Sequence, residues 1–218
     1  MRQTTISLQG IRAMARSSTS NKDLMSQARE RLRGQWKTPV LVTLGYGIIY
    51  AIANLSEVLS LIFGLILSGP IALSFVYFYL AFIREQRLDI NELKQGFSRF
   101  VPALLTQLLA TLFILLWMLL LIIPGIMAAL SYAVVFYVRH DQPELGPLEA
   151  LKRSKALMYG NRWKLFCLGC RFFGWILLSI LTLLIGFIWL LPYMQTTSAL
   201  FYEDLLRSEA EETQLLTA

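Results

Sequence analysis

Residues Leu120–Tyr132 read LLIIPGIMAALSY, the middle of an uncharged run of 38 residues from Val101 to Val138. As a single helix that run would be roughly 57 Å long at 1.5 Å per residue. The hydrocarbon core of a bilayer is about 30 Å thick, so one straight span leaves nearly half of the run outside it, whereas two spans joined by a tight turn fit. Pro124 is tolerated in the first turn of a helix, where its missing N–H has no intrahelical partner. The stretch therefore predicts a helical hairpin that turns at Ile122–Gly125.

Two other blocks match it. From Thr38 to Ile83 the only charge is Glu57, and from Leu165 to Tyr202 the only charge is Arg171. The chain of 218 residues is 56% hydrophobic and 16% charged, against about 25% charged in an ordinary soluble domain. Three long apolar blocks separated by charged segments predict an all-α polytopic membrane protein.

The net charge of +6 raises the question of nucleic acid, and its distribution answers it. Basic residues cluster at 2–37, 84–99 and 139–164, with Arg207 near the end, and none lies in the turns between paired spans. This is the pattern of cytosolic loops. It predicts three hairpins, hence six spans with both termini cytosolic, and contact with anionic headgroups rather than nucleic acid. The start, MRQTTISLQGIRAMARSS, shares its Arg, Ser and Thr content with organelle transit peptides, but a flexible basic cytosolic tail over 1–25 is the preferred reading. Residues 26–205 then form one membrane domain, with units at about 26–87, 88–140 and 141–206, and 207–218 an acidic tail.

The segments leading into the blocks resemble one another: SQARERLRGQWKTPVL (26–41), INELKQGFSRFVPALL (90–105) and EALKRSKALMYGNRWKLF (149–166). Each is charged and amphipathic, and each is expected to turn at a glycine (Gly34, Gly96, Gly160) and pass through an aromatic residue into an apolar helix. Pro70, Pro124 and Pro192 fall late in the three blocks, before FVYFYLAFIRE, YAVVFYVRHD and SALFYEDLLR. A period of about 63 residues predicts an internal triplication of amphipathic interfacial helix, outward span, proline turn and inward span. In the third copy, Leu148, Leu151, Ala156 and Leu157 are the expected apolar face. In the first copy Asn54–Glu57 would serve as a turn and leave a long second helix kinked at Pro70, while the repeat favours a turn near Gly64–Pro70.

Taken together, IIPGI, EALKRSKALMYGNRWKLF, GW and LPYMQTTSALFYEDL resemble the bacterial integral-membrane family catalogued as domain of unknown function 975, from about Gly69 to Leu205. The resemblance touches Gly69, Pro70, Pro124, Gly125, Glu149, Ala150, Ser154, Met158, Gly160, Trp163, Phe166, Gly174, Trp175, Pro192, Tyr193 and Phe201–Glu203. It implies a bacterial cytoplasmic membrane and a six-helix fold, and it supplies no activity. Arg171 departs from the pattern, which leads to a small or apolar residue there.

Few residue constellations carry chemistry. Cys167 and Cys170 form CLGC inside a span, where two thiols without further ligands read as packing residues. No cofactor, metal site or catalytic set is expected, since phosphate loops, nucleophile elbows and His/Glu clusters are missing. Candidate lining for a polar cavity is Gln107, Tyr132, Arg171, Gln195, Thr196 and Glu203, with Glu203 a candidate partner for Arg171. Candidate contacts to anionic phospholipid are Arg33, Lys37, Lys152, Arg153, Lys155 and Lys164. The leading expectation is a non-enzymatic protein that binds lipid, an amphiphile, a partner membrane protein or its own copies. The alternative is a small-solute transporter or channel using the polar patch YMQTTS of the last helix. A surface enzyme built on Tyr202, Glu203 and Asp204 comes third.

Overall fold

The protein is described here by a computed structural model covering residues 16–182 and 184–217. The first 15 residues of the expected basic tail lie outside the described residues. Helix α1 (Asn21–Leu32) already begins inside that expected tail; Ser20 caps it, its Oγ accepting from the Asp23 N–H at 3.2 Å. Leu24, Ala28 and Leu32, four residues apart, form its buried face. Gly34, at φ +82°, then turns the chain through a backbone region open mainly to glycine. Helix α2 (Lys37–Ala53) leaves at 99° to α1. Gly160, at φ +80°, has the same role between α9 (Pro147–Leu157) and α10 (Arg162–Leu181).

The first apolar block turns at Asn54–Ser56, not near Gly64–Pro70. Glu57 opens α3 (Glu57–Ile62), which continues through a π-helical turn (Phe63–Leu67) into α4 (Ser68–Glu85). Local polar chemistry decides this. The Asn54 amide donates to the Tyr50 carbonyl at 2.8 Å and accepts from Ser60 Oγ at 3.1 Å, while Glu57 suits the positive end of the new helix. Pro70 is therefore helical and not a turn. It has no N–H, and its ring crowds the carbonyl of Ile66, which lies in the widened π turn.

The second block reverses close to the expected place, at Leu121 rather than within Ile122–Gly125, which are helical. Helix α6 (Phe100–Leu120) ends at Leu121, whose extended backbone (φ −162°, ψ 145°) reverses the chain into α7 (Ile122–Tyr132), with Pro124 in the first turn. Helix α8 (Val135–Asp141) continues it. The third block turns after Thr182, with Leu184 at φ +70° and Gly186 directly against Ser179. Pro192 is consequently inside α11 (Phe187–Thr217), and the expected acidic tail is the last part of that helix.

Among the described residues, four helical stretches are long and apolar enough to cross a membrane: Glu57–Glu85, Phe100–Leu120, Ile122–Asp141 and Arg162–Leu181. The bent α1–α2 pair raises this to five if it is one span, against the six expected. Helix α11 falls short because Gln195–Ser198, Glu203 and Asp204 dilute its apolar start.

The helices pack in two zones. Helix α5 (Glu92–Ser98) rests on α4, α9 on α8 as well as α6 and α7, and α1 on α11. Each charged helix thus lies on the apolar helix preceding its own block, and the first lies on the last. The core is here, with Leu24, Phe78, Tyr79, Val138, Leu151 and Phe201 all nearly fully buried. Away from it, apolar side chains stand open: Leu55 is 83% exposed, Leu119 87% and Leu181 81%. Lipid covers such a surface; water would not stabilise it.

Two expectations change with this packing. Gly96 is not a turn but a contact inside α5, where any Cβ would overlap the backbone of Ser74 on α4. On α9 the buried face is Ala150, Leu151, Ser154 and Leu157, followed by Met158, while Leu148 is exposed. Ser154 Oγ donates to the Ser131 carbonyl at 2.8 Å and fixes this face of α9 against α7.

Candidate functional site

The three blocks end in FIRE, VRHD and FYED, and the fold brings these ends together. Arg84 of α4 donates two parallel bonds to Asp141 of α8, at 2.7 and 2.8 Å, and a third to Glu203 of α11 at 2.7 Å. The Tyr202 hydroxyl donates to the same Asp141 carboxylate at 3.0 Å, and His140 Nδ1 lies 2.8 Å from its other oxygen. One guanidinium thereby ties three helices, the fork geometry for which arginine is suited. Glu203 is not a partner of Arg171, because Arg84 occupies it. Arg171 is exposed on α10 and takes part in no ion pair among the described residues.

His140 also packs edge-on against Tyr77, ring centroids 4.4 Å apart, and both line a polar cavity of about 270 Å³ with Arg87, Glu92 and Gln95. The knot of Arg84, His140 and Asp141 was legible only as a repeated charged end after each block, and pairing across copies needed the fold. Its chemistry is that of a clamp. Among the described residues no group of three or more His, Cys, Asp and Glu could hold a metal. Cys167 is half-buried and Cys170 exposed, both as free thiols.

Five cavities of the structure are lined by residues other than the six expected for a polar cavity. The hydroxyls of Thr196, Thr197 and Ser198 donate to the carbonyls of Pro192, Tyr193 and Met194, four residues back on their own helix. Gln107 bonds Thr111 on its own helix at 3.1 Å, and Tyr132 packs near Phe113. Gln195 is half-buried on α11.

The six basic candidates divide. Arg153 is committed to Glu209, and Lys164 to Asp204 at 3.1 Å and to Ser17. Helix α11 supplies both acids, so its charged end neutralises part of the rim. Glu209 holds the Arg153 guanidinium above its ordinary value. Arg33, Lys37, Lys152 and Lys155 are exposed and in no ion pair among the described residues. Arg33 and Lys37 flank half-buried Trp36 in the sequence, and Lys152 and Lys155 precede Trp163, which is 72% exposed.

Among the clefts of the apolar zone are two with aromatic walls. One of about 440 Å³, between α2, α4 and α5, is walled by Leu41, Tyr46, Phe63, Phe75, Ile90 and Phe97. The other, of about 400 Å³, lies between the α1–α2 elbow and the α10–α11 turn.

Long apolar helices joined by charged helices define a helical protein of the membrane class. The chain belongs to the family described as Protein of unknown function (DUF975), whose family model matches residues 14–126 and 118–209. Comparison with curated proteins finds no match, and comparison with solved structures finds none either.

Proposed function

We propose that this is a non-enzymatic protein of the bacterial cytoplasmic membrane, with six spans in three hairpins and both termini cytosolic, and that it binds anionic phospholipid around its cytosolic rim. In this topology the sixth span is the uncharged part of α11, Phe187–Tyr202. The meeting of Arg84, Asp141 and Glu203, each at the end of its own block, supports three copies of one unit, as does the seating of α1 on α11.

The observation that carries the binding reading is the set of uncommitted cations Arg33, Lys37, Lys152 and Lys155. A bundle that pairs Arg153 and Lys164 internally leaves these four for an outside anion. Each basic residue near an anionic leaflet contributes about 1 kcal/mol before screening, and tryptophan suits the headgroup depth.

The test is a melting series of the purified protein in phosphatidylglycerol against phosphatidylcholine. A larger shift in phosphatidylglycerol is expected, shrinking as salt rises. Replacing the four cations by Gln should shrink the difference without lowering the melting temperature in phosphatidylcholine. Equal shifts in the two lipids would refute the reading.

A further inference from the structure

We infer that the cleft between the α1–α2 elbow and the α10–α11 turn is a binding site for one phospholipid with an anionic headgroup, its phosphate on Arg29 and an acyl chain along the tryptophan walls. This deepens the lipid-binding reading and rests on it, but uses residues outside the rim described above. The cleft, about 400 Å³, falls in the size range of small-molecule sites. Its walls are apolar, with Trp36, Trp175, Leu178, Trp189 and Leu190.

The two aliphatic hydroxyls among the lining residues, those of Ser179 and Thr182, are already used within the chain. Ser179 Oγ donates to the Trp175 carbonyl at 2.8 Å, and Thr182 Oγ1 to the Ser179 carbonyl at 3.0 Å. They offer methylene and methyl surface more readily than a polar lining. A hydrated solute would lose its water there and regain little.

Arg29 is the one charged residue lining the cleft. It is exposed and in no ion pair among the described residues. Its position is nevertheless held. The guanidinium lies 5.9 Å from the centre of the Tyr193 ring, and the Tyr193 hydroxyl donates to the Met25 carbonyl at 3.1 Å. The elbow is also where the chain passes from charged α1 to apolar α2. A cation at the head of an apolar groove, on the flank that lipid covers, matches an amphiphile with one anionic group and a hydrocarbon chain. A free phosphate would meet one cation and otherwise mostly apolar walls, which is too little to hold it in water.

The experiment is native mass spectrometry of the detergent-solubilised protein, offered phosphatidylglycerol and phosphatidylcholine of identical chains. The wild type should retain one phosphatidylglycerol after extensive delipidation. Arg29→Gln should lower the phosphatidylglycerol-to-phosphatidylcholine ratio about tenfold, the loss of one charge-assisted contact. Arg29→Lys should keep most of the preference. Leu178→Trp should remove the retained lipid of either kind by filling the groove; Leu178 is 52% exposed, so the larger ring does not enter the core. The variant with Gln at all four rim cations should keep this one lipid. An unchanged ratio in Arg29→Gln, or an undiminished lipid in Leu178→Trp, overturns the cleft site. If either occurs while the four-cation variant loses its melting difference, the cleft is wrong and the rim reading stands.

Discussion

Arg153 and Glu209 face each other through two parallel hydrogen bonds, Nη1 to Oε1 at 2.7 Å and Nη2 to Oε2 at 2.6 Å. The pair ties α9 to the last turns of α11, 56 residues later in the chain. A segment that composition marks as a solvated acidic tail is therefore a strut, and a residue that resembles a lipid contact is its counterpart.

Removing either partner should cost stability and leave lipid preference alone. Arg153→Gln or Glu209→Gln should each lower stability by about 1–3 kcal/mol, the range for hydrogen bonds to charged groups. The double variant should cost less than the sum of the two, since it strands no lone charge. Thermal melts of the three variants measure this, and additive losses would show that the pair is not coupled.

Gly96→Ala should destabilise, because its Cβ would meet the Ser74 backbone and neither helix can yield cheaply. Gly169→Ala, where nothing lies within 4 Å of the added atom, should be neutral or slightly stabilising. A loss of roughly 1–3 kcal/mol at 96 alone is expected. Melting temperatures in one detergent decide between this pattern and equal tolerance.

The turns can be placed by labelling. In a Cys167→Ala, Cys170→Ala background, which should express and melt like the wild type, single cysteines at 55 and 121 should react with an impermeant thiol reagent in intact cells. Cysteines at 87, 143 and 212 should not. A cysteine at 66 should also stay unlabelled, since the π turn lies within a helix that opens at Glu57. Labelling at 87 or 143 would contradict three hairpins with cytosolic ends.

Asp204 should make the fold acid-sensitive. Burial alone would raise its value, but hydrogen bonds from Ser17, Thr19 and Lys164 outweigh burial and hold it below the ordinary 3.8. A carboxylate lowered in the folded state contributes stability at neutral pH and loses it as pH falls from about the ordinary value through the folded one. Asp204→Asn should therefore melt lower at pH 7 and show a flatter decline below pH 4 than the wild type. Parallel declines would assign the acid sensitivity to other groups.

How far the sequence reached follows the range of the interactions. Uncharged runs longer than a bilayer is thick, Gly34 and Gly160 before apolar helices, and Pro124 at a helix start are local signals, and the helices and their joints follow from them. The repeat correctly singled out Gly96 but misread its role, because a glycine needed for a turn and one needed for close helix contact look alike in one chain. The same repeat moved the first turn to Gly64–Pro70, where a π turn absorbs the proline, while Asn54, Ser56 and Glu57 held the better local chemistry.

What the chain alone determined is that it forms long apolar helices with charged helices between them, because length, charge and periodicity act over a few turns. What only the tertiary structure decided is which charge meets which. Arg84, Asp141 and Glu203 end three similar segments, and any of the basic residues before each block had equal claim on the acids of α11. Arg153 and Lys164 found partners there, whereas Arg29, Arg33 and Lys152 face outward. The reason is physical. Ion pairing depends on distances of a few ångströms between residues far apart in sequence, and those distances exist only once the helices are packed.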